Sequence, residues 1–492
     1  MENVVGGFQD AITPTNLAFC FLGVLAGTVI GVLPGLGQTT GVALLLPLTL
    51  GLEPLTAFIL LAGIYYGCQY GGTITSVLIA TPGEPSTVMT TIDGYQMARQ
   101  GRAGPALAIA AIGSFLAGTI SIVFLMTLAP VFATFALQFG PPETFALVVL
   151  GMAGVVGFSS ASRSKGLAMG ALGVAFATIG IDAQTGIARF TFGNVELLGG
   201  FGFVEAIIGL FAISEVLIQI EAGGVEPIRT RLRDMLLTRE DWRRCRMPIV
   251  RGGIVGFLIG VMPGGGATLA SFLSYDIERR LSRHSEEFGK GAIEGVASPE
   301  AANNAAANGA FVPTLTLGIP GSATTAVLLG AFLLFGIQPG PLLMQEQADL
   351  VWGLMASFYI GNVLLLLLNL PLAPVFALML RFRYAFVYPV ILLMSLVGAY
   401  AVENQMWGVW LALGFGLLGY FMKRYDYPVA PVILGLVLGG LMEKSFVQSS
   451  AMGGGGVGIF LQRPIALLLF ALVLAVMFGP YLAKRVRNHA NS

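Results

Sequence analysis

Charge is scarce in this chain. Asp, Glu, Lys and Arg make up 11% of its 492 residues, less than half of the roughly 25% found in soluble domains. Too few charges are present to coat a body of this size in water, whereas lipid accepts such a surface. Histidine occurs twice, which leaves little for a His-based metal or acid–base centre. The three cysteines, Cys20, Cys68 and Cys245, are far apart and odd in number, so neither a disulfide framework nor a paired-thiol metal site is indicated. Neither sign of charge dominates: 26 basic side chains balance 26 acidic ones, which excludes a basic nucleic-acid binder, and the composition also excludes disorder and collagen. What is plentiful is apolar: 55% hydrophobic residues, with 67 glycines and 33 phenylalanines. The chain reads as an all-α polytopic membrane protein embedded in a lipid bilayer.

A helix crossing the hydrocarbon core needs about 20 mostly apolar residues, because only internally bonded backbone survives there. Such runs start near Asn16, Thr40, Ala103, Glu143, Gly166, Gly200, Met247, Asp349, Ala385, Gln405, Tyr427 and Pro464. Residues 71–87 and 303–334 are apolar but broken by Pro and Gly. About 12 transmembrane helices plus broken or re-entrant pieces are therefore expected. The start carries no basic n-region, so no cleaved signal peptide is expected. Basic loops mark the cytoplasmic side: Arg229, Arg231, Arg233, Arg239, Arg243, Arg244 and Arg246 crowd one linker, and Lys484, Arg485 and Arg487 the tail. Residues 1–15 hold no Lys or Arg, which puts the N-terminus outside and the C-terminus in the cytoplasm. Arg189, Lys444 and Arg463 are exceptions on the predicted outer side.

The sequence repeats itself. IGVLPGLGQT at residues 30–39 recurs as IGVMPGGGAT at 259–268; Pro82-Gly83 with Ser86-Thr87 recurs as Pro320-Gly321 with Thr324-Thr325; LAPVFA at 128–133 reappears unchanged at 372–377. Three matches in one order mean duplication. Charge then decides the relative orientation of the copies. Arg99 and Arg102 follow the second motif in the first half and nothing basic follows it in the second; Arg381 and Arg383 follow LAPVFA in the second half and nothing basic follows it in the first. Arg163 and Lys165 face Glu403, and the arginine-dense linker faces a stretch without Lys or Arg. Equivalent loops thus lie on opposite faces, as in inverted-repeat transporters. The expected layout is an external segment 1–15, repeat 1 over 16–220, a basic linker 221–246, repeat 2 over 247–443, an external loop 444–463, an extra helix 464–483 and a tail 484–492.

Pro and Gly at mid-membrane free backbone groups that lipid cannot satisfy, so such breaks line buried or wet sites. Four occur, in two matching pairs: 34–39 with 263–268, and 81–87 with 319–325. Each should expose helix N-terminal amides, which favour anions. Carboxylates of a substrate are therefore expected at Gly83, Glu84, Ser86, Thr87, Gly321, Ser322, Thr324 and Thr325. Oxygen ligands for Na⁺, the possible coupling ion, are expected at Gly35, Gly37, Gln38, Thr39, Gly264, Gly266 and Thr268. Asn303 and Asn304 belong to an unusually polar stretch at 298–308 and either contact substrate or bond neighbouring helices. Glu84 reads either as a protonatable coupling residue or, by preference, as a solvated residue at a hairpin tip. Arg99 and Arg102 read first as inner-face anchors, and His284 as part of a solvated loop. No Gly-Lys-Ser/Thr completes a Walker A loop, so no ATPase module is encoded; no catalytic residue and no bound cofactor is expected. A passive carboxylate channel, an intramembrane enzyme and a scaffold subunit are the alternatives.

At residues 31–39, 71–85, DGYQMARQG at 93–101, and PEAANN at 299–304 running on to PTLTLGIPG at 313–321, the chain resembles the large permease subunit of the tripartite tricarboxylate transporters (the TctA type). The likeness extends over nearly the whole chain. It implies a permease of the bacterial inner membrane importing organic carboxylates on a Na⁺ or H⁺ gradient. A small four-span membrane subunit and a periplasmic solute-binding protein are the implied partners. The family name does not fix the substrate.

Overall fold

The structure is a computed structural model, and it describes residues 2–33, 35–158, 162–182, 185–222, 235–379 and 384–490. Pro34, Arg229, Arg231, Arg233, Arg381 and Arg383 lie outside the described residues, and the tail residues Lys484, Arg485 and Arg487 are described in their backbone alone. The chain is 81% helical, so the all-α expectation holds. In order the helices are α1 (Glu2–Ala11), α2 (Pro14–Gly31), α3 (Gln38–Leu45), α4 (Pro54–Ile79), α5 (Val88–Arg99), α6 (Ala103–Ala136), α7 (Pro141–Phe158), α8 (Arg163–Ala177), α9 (Phe203–Ile207), α10 (Ser214–Ala222), α11 (Arg239–Val261), α12 (Gly266–Leu281), α13 (Glu294–Leu317), α14 (Ala323–Leu334), α15 (Leu343–Glu346), α16 (Ala348–Met379), α17 (Tyr384–Glu403), α18 (Met406–Arg424), α19 (Ala430–Met452), α20 (Ile459–Gln462) and α21 (Pro464–Ala490). A π-helical turn, Ile208–Ile213, joins α9 to α10 without interrupting the rod. Two short strands, Gly180–Ile181 and Ala188–Arg189, pair antiparallel after α8.

Among the described residues six helices are long and apolar enough to cross a membrane: α2, α6, the rod from Phe203 to Glu221, the Ala348–Ala373 part of α16, α18 and α19. Four shorter apolar helices accompany them. One of the expected runs is divided by the fold. The run starting at Thr40 is not one helix: α3 ends after two turns, a 3-10 turn over Leu46–Thr49 comes next, and α4 begins afresh at Pro54, where proline suits a first helical position. α4 and α13 are nearly all buried. Shielded from lipid by their neighbours, they carry Tyr, Gln, Thr and Asn where a lipid-facing helix could not. α19 also runs on to Met452, so the first part of the stretch read as an external loop at 444–463 continues as helix.

Two helix pairs form the centre. On α2, a Cβ added to Gly27 or Gly31 would overlap the carbonyl of Ile64 or Cys68 of α4; on α11, one added to Gly252, Gly256 or Gly260 would overlap that of Ser298, Ala302 or Ala306 of α13. Small residues every fourth position let these backbones touch. In both pairs the contacts advance together along the two sequences, so the helices run parallel. A parallel pair requires the chain to return between its members, and α3 and α12 make those returns. α13 packs along α6, and α16 packs along α4, which locks each pair to the other half of the chain.

Candidate functional site

α4 and α13 end alike. Ala80 (φ 55°) and Gly318 (φ 68°) take the left-handed conformation that stops a helix, and each chain then turns back through a Pro-Gly pair. Gly83 lies flat on Gly72 of α4, and Gly321 on Ala310 of α13; a Cβ on Gly321 would come within 2.7 Å of the Ala310 Cα and 2.9 Å of the Gly260 carbonyl. Capping boxes fix the second arm of each hairpin. Glu84 and Thr87 exchange caps over the turn Pro85–Thr87. At the start of α14 the Thr325 amide donates to Ser322 Oγ at 3.2 Å, and the Ser322 amide donates to Thr325 Oγ1 at 2.9 Å. Both hairpins therefore hold their helix-start amides in a set direction.

The breaks meet. Thr39, from the first, and Thr324, from the last, share a hydroxyl hydrogen bond of 2.8 Å. The Gln38 amide donates to Glu84 Oε2 at 3.4 Å, and the Ser86 hydroxyl donates to Glu84 Oε1. Gly37 packs against the Glu84 side chain, Gly266 faces that of Ser322, and α12 packs on the turn Pro85–Thr87. Gln69 Nε2 donates to Asn303 Oδ1 at 3.3 Å. Asn303 and Tyr65 reach towards Glu84 and Ser322 without closing a hydrogen bond. Gln38 Oε1, Tyr65 OH, Gln69 Oε1 and Asn303 Nδ2 consequently remain buried without partners. Unpaired buried polar atoms are few in folded proteins; four in one cluster mark a place where a ligand or water completes the bonding.

The structure does not bring all the sequence-derived residues here. Glu84 is buried, which overturns its reading as a solvated hairpin tip: the hairpin lies against α4 and beneath Gly37, out of water. Asn304 is taken up by helix-to-helix bonding, its amide donating to Ser114 Oγ of α6 at 2.7 Å. Gly35, at φ 82°, sits against Glu215 and Gln219 of α10, and Gly264, at φ 77°, against Gly154 and Val155 of α7. Thr268 is exposed. Of the residues assigned to a cation, Gly37, Gln38, Thr39 and Gly266 approach the hairpins.

Tyr65 and Gln69 escaped the sequence reading as site residues, whereas Glu300 falls in the polar stretch it singled out at 298–308. Glu300 accepts from Thr73 at 2.8 Å and from Thr90 at 2.5 Å, and its charge and that of Glu84 act on each other. The available signal was polarity inside an otherwise apolar run, which is costly in a membrane unless used. His284 lies, as expected, in an exposed loop, beside Glu286 and Glu287.

Interrupted helices that meet inside a multi-pass helical bundle are an arrangement shared with many membrane transporters. Residues 17–434 match the family described as tripartite tricarboxylate transporter TctA, and the chain belongs to that family. It is thus a membrane component of a transporter that has further components. An Agrobacterium vitis protein described as an uncharacterized 52.8 kDa protein in the TAR-I ttuC' 3' region is 46% identical over 476 residues, covering 96% of this chain and 95% of that protein. An uncharacterized protein in the TAR-II ttuC' 3' region of the same organism is 46% identical over 219 residues, 44% of this chain and 90% of its own length. No solved structure matches.

Proposed function

We propose that this chain is the permease subunit of a secondary active importer of small organic carboxylates, tri- or dicarboxylate-like, in the bacterial inner membrane. It would work with a small four-span membrane subunit and receive substrate from a periplasmic solute-binding protein, its N-terminus periplasmic and its C-terminus cytoplasmic. The observation carrying this reading is that the first break, through Gln38 and Thr39, bonds to two hairpins of like construction, one from each half, at Glu84 and Thr324. Inverted repeats account for that likeness: the parallel glycine-packed pairs, the left-handed helix ends and the two capping boxes recur in the same order. With the repeats inverted, α2–α3 and α11–α12 enter from opposite faces and return, and the site falls between them.

Electrostatics argue for coupling. Amides at the turn Pro85–Thr87 and at the start of α14 favour an anion, whereas the buried Glu84 and Glu300 repel one. A carboxylate can therefore settle beside Gly321, Ser322, Thr324 and Thr325 only once a proton or cation has neutralised Glu84. The oxygens of Glu84, Gln38, Gln69 and Tyr65 are the donors a hard cation such as Na⁺ takes, and protonation of Glu84 would serve equally. Substrate and driving ion are thus tied by mutual charge compensation.

The test is uptake of a panel of labelled carboxylates into vesicles carrying the complete system, with Na⁺ and proton gradients imposed separately. Uphill accumulation of one substrate class under one gradient is expected. Flux that runs only downhill and ignores both gradients would make the protein a channel.

A further inference from the structure

One cavity lies away from the hairpin cluster. Half-open and about 290 Å³ in volume, it is bounded by the ends of α8 and α17, the loop leading into α9, α14 and α19. Phe176 and Phe201 stand edge-to-face at its wall, each backed edge-on by Phe415, which makes that wall rigid. Phe203 is seated over Gly330 of α14, where any Cβ would overlap its ring. Glu205 borders the cavity, but its carboxylate oxygens are buried away from it beneath Gly202 and Gly408. The other acid on the wall, Glu403, sits at the exposed end of α17. The interior is thus apolar, and the exposed Leu333 and Leu334 mark its mouth. Its sides include α19 and the start of the Phe203–Glu221 rod, two of the helices long and apolar enough to cross a membrane.

The segment that runs into this cavity is apolar and outward-facing as well. Ile187, Phe190, Phe192 and Val195 precede the wall residues 199–203, and all four are exposed, Phe192 by 91%. Phe190 (φ 54°) and Phe192 (φ 50°) take the left-handed backbone that bulky side chains rarely adopt. Gly180 lies against Gly200, which brings the segment back to the cavity. Four large apolar side chains held in water would be a liability, whereas lipid accepts them. The volume limits the occupant too: one helical turn, about 10 Å across and 5.4 Å long, fills roughly 400 Å³, so a slender chain fits and a partner's helix does not. We propose that the cavity receives one acyl chain of a bilayer phospholipid. The chain enters between Leu334 of α14 and Val437 of α19 and ends against Phe201 and Phe203, with residues 187–195 seated in the same lipid layer. Because α14 is the second arm of the hairpin capped by Ser322, the acyl chain braces that arm from outside. The assignment goes beyond the carboxylate site and does not depend on it.

Photolabelling tests the proposal, with a phosphatidylcholine that carries a diazirine midway along one acyl chain, in nanodiscs holding the purified full-length chain. After irradiation and peptide mass spectrometry, adducts are expected on Phe201 or Phe203 as well as on the exposed Val390 and Leu393 of α17, which any surrounding lipid reaches. This comparison needs no variant. Leu334→Trp and Val437→Trp, which fill the entrance, should each cut the Phe201 and Phe203 adducts at least about tenfold, the effect of excluding roughly two methylenes from an apolar site. Adducts on Val390 and Leu393 should stay constant in both, and Glu84→Gln should change neither set. Adducts confined to α17 and other outer helix faces would overturn the proposal, as would cavity adducts persisting at full strength in folded tryptophan variants. Loss of the cavity adducts once the other transporter components are added would also overturn it, by giving the space to a partner's side chain. Because Glu84→Gln disturbs only the hairpin cluster, failure here and failure of carboxylate transport can be told apart.

Discussion

At the scale of single residues, Glu84 carries the functional argument. It accepts from the Gln38 amide and the Ser86 hydroxyl and lies beside Asn303, so it is set among donors that stabilise its charge while standing where an anionic substrate would be repelled. Glu84→Gln removes the charge and keeps the shape. Exchange of substrate across the membrane should persist, while accumulation driven by the ion gradient should fall to the level reached without a gradient. Counterflow and gradient-driven uptake in the same vesicles check this, and undiminished accumulation would show that coupling resides elsewhere. The hydroxyl pair Thr39–Thr324 joins the halves through one hydrogen bond. Valine at both positions, compared with valine at each, should reveal a coupling of about 0.5–1.5 kcal/mol in substrate affinity. Strict additivity would mean that the bond does not form in the substrate-bound state.

At the scale of elements, the two hairpins depend on their caps. Ser322→Ala leaves the Thr325 amide without its partner and should cost about 0.5–2 kcal/mol, the usual worth of an N-cap. A lower unfolding temperature and weaker substrate binding are the expected readouts; weaker binding at unchanged unfolding temperature would mean that the hydroxyl acts on substrate directly. The breaks themselves were legible in the sequence, because Pro-Gly pairs inside apolar runs have few other uses. Their surroundings were not. Hydropathy cannot distinguish a helix that crosses the membrane from one that enters and returns, so the parallel pairing of α2 with α4 and the return through α3 emerged only from the packing of Gly27 and Gly31. Glu84 misled for a related reason: a carboxylate flanked by prolines looks like a solvated turn until Gly37 and Gly72 are seen closing over it. Asn304 illustrates the converse, a polar residue in a telling motif whose amide is absorbed by Ser114.

At the scale of the whole molecule, the question is which way each half faces. Arg189, basic on the side read as outer, is bound bidentately by Glu443, at 2.5 and 3.0 Å, with Asp182 at 3.9 Å. Its charge is locally paired, yet it remains an exception to a rule that counts Lys and Arg whatever acids stand beside them. Arg102, read as an inner-face anchor, pairs with Asp241 at the start of α11, which sets the first turn of that helix and the start of α6 on one face. The inversion predicts opposite faces for residues in equivalent places after the two hairpins. Gln100 follows α5 and Gln338 follows α14, and both are exposed. The native Cys20, Cys68 and Cys245 are buried, so single cysteines at these two glutamines can be introduced into the otherwise unaltered chain with little background. A membrane-impermeant maleimide added to intact cells should label Gln338→Cys and leave Gln100→Cys untouched until the membrane is permeabilised. Labelling of both from the outside, or of neither, would mean that the repeats share one orientation. The hairpins would then approach from a single face, and a site gripped between opposed helix ends at mid-membrane could not exist.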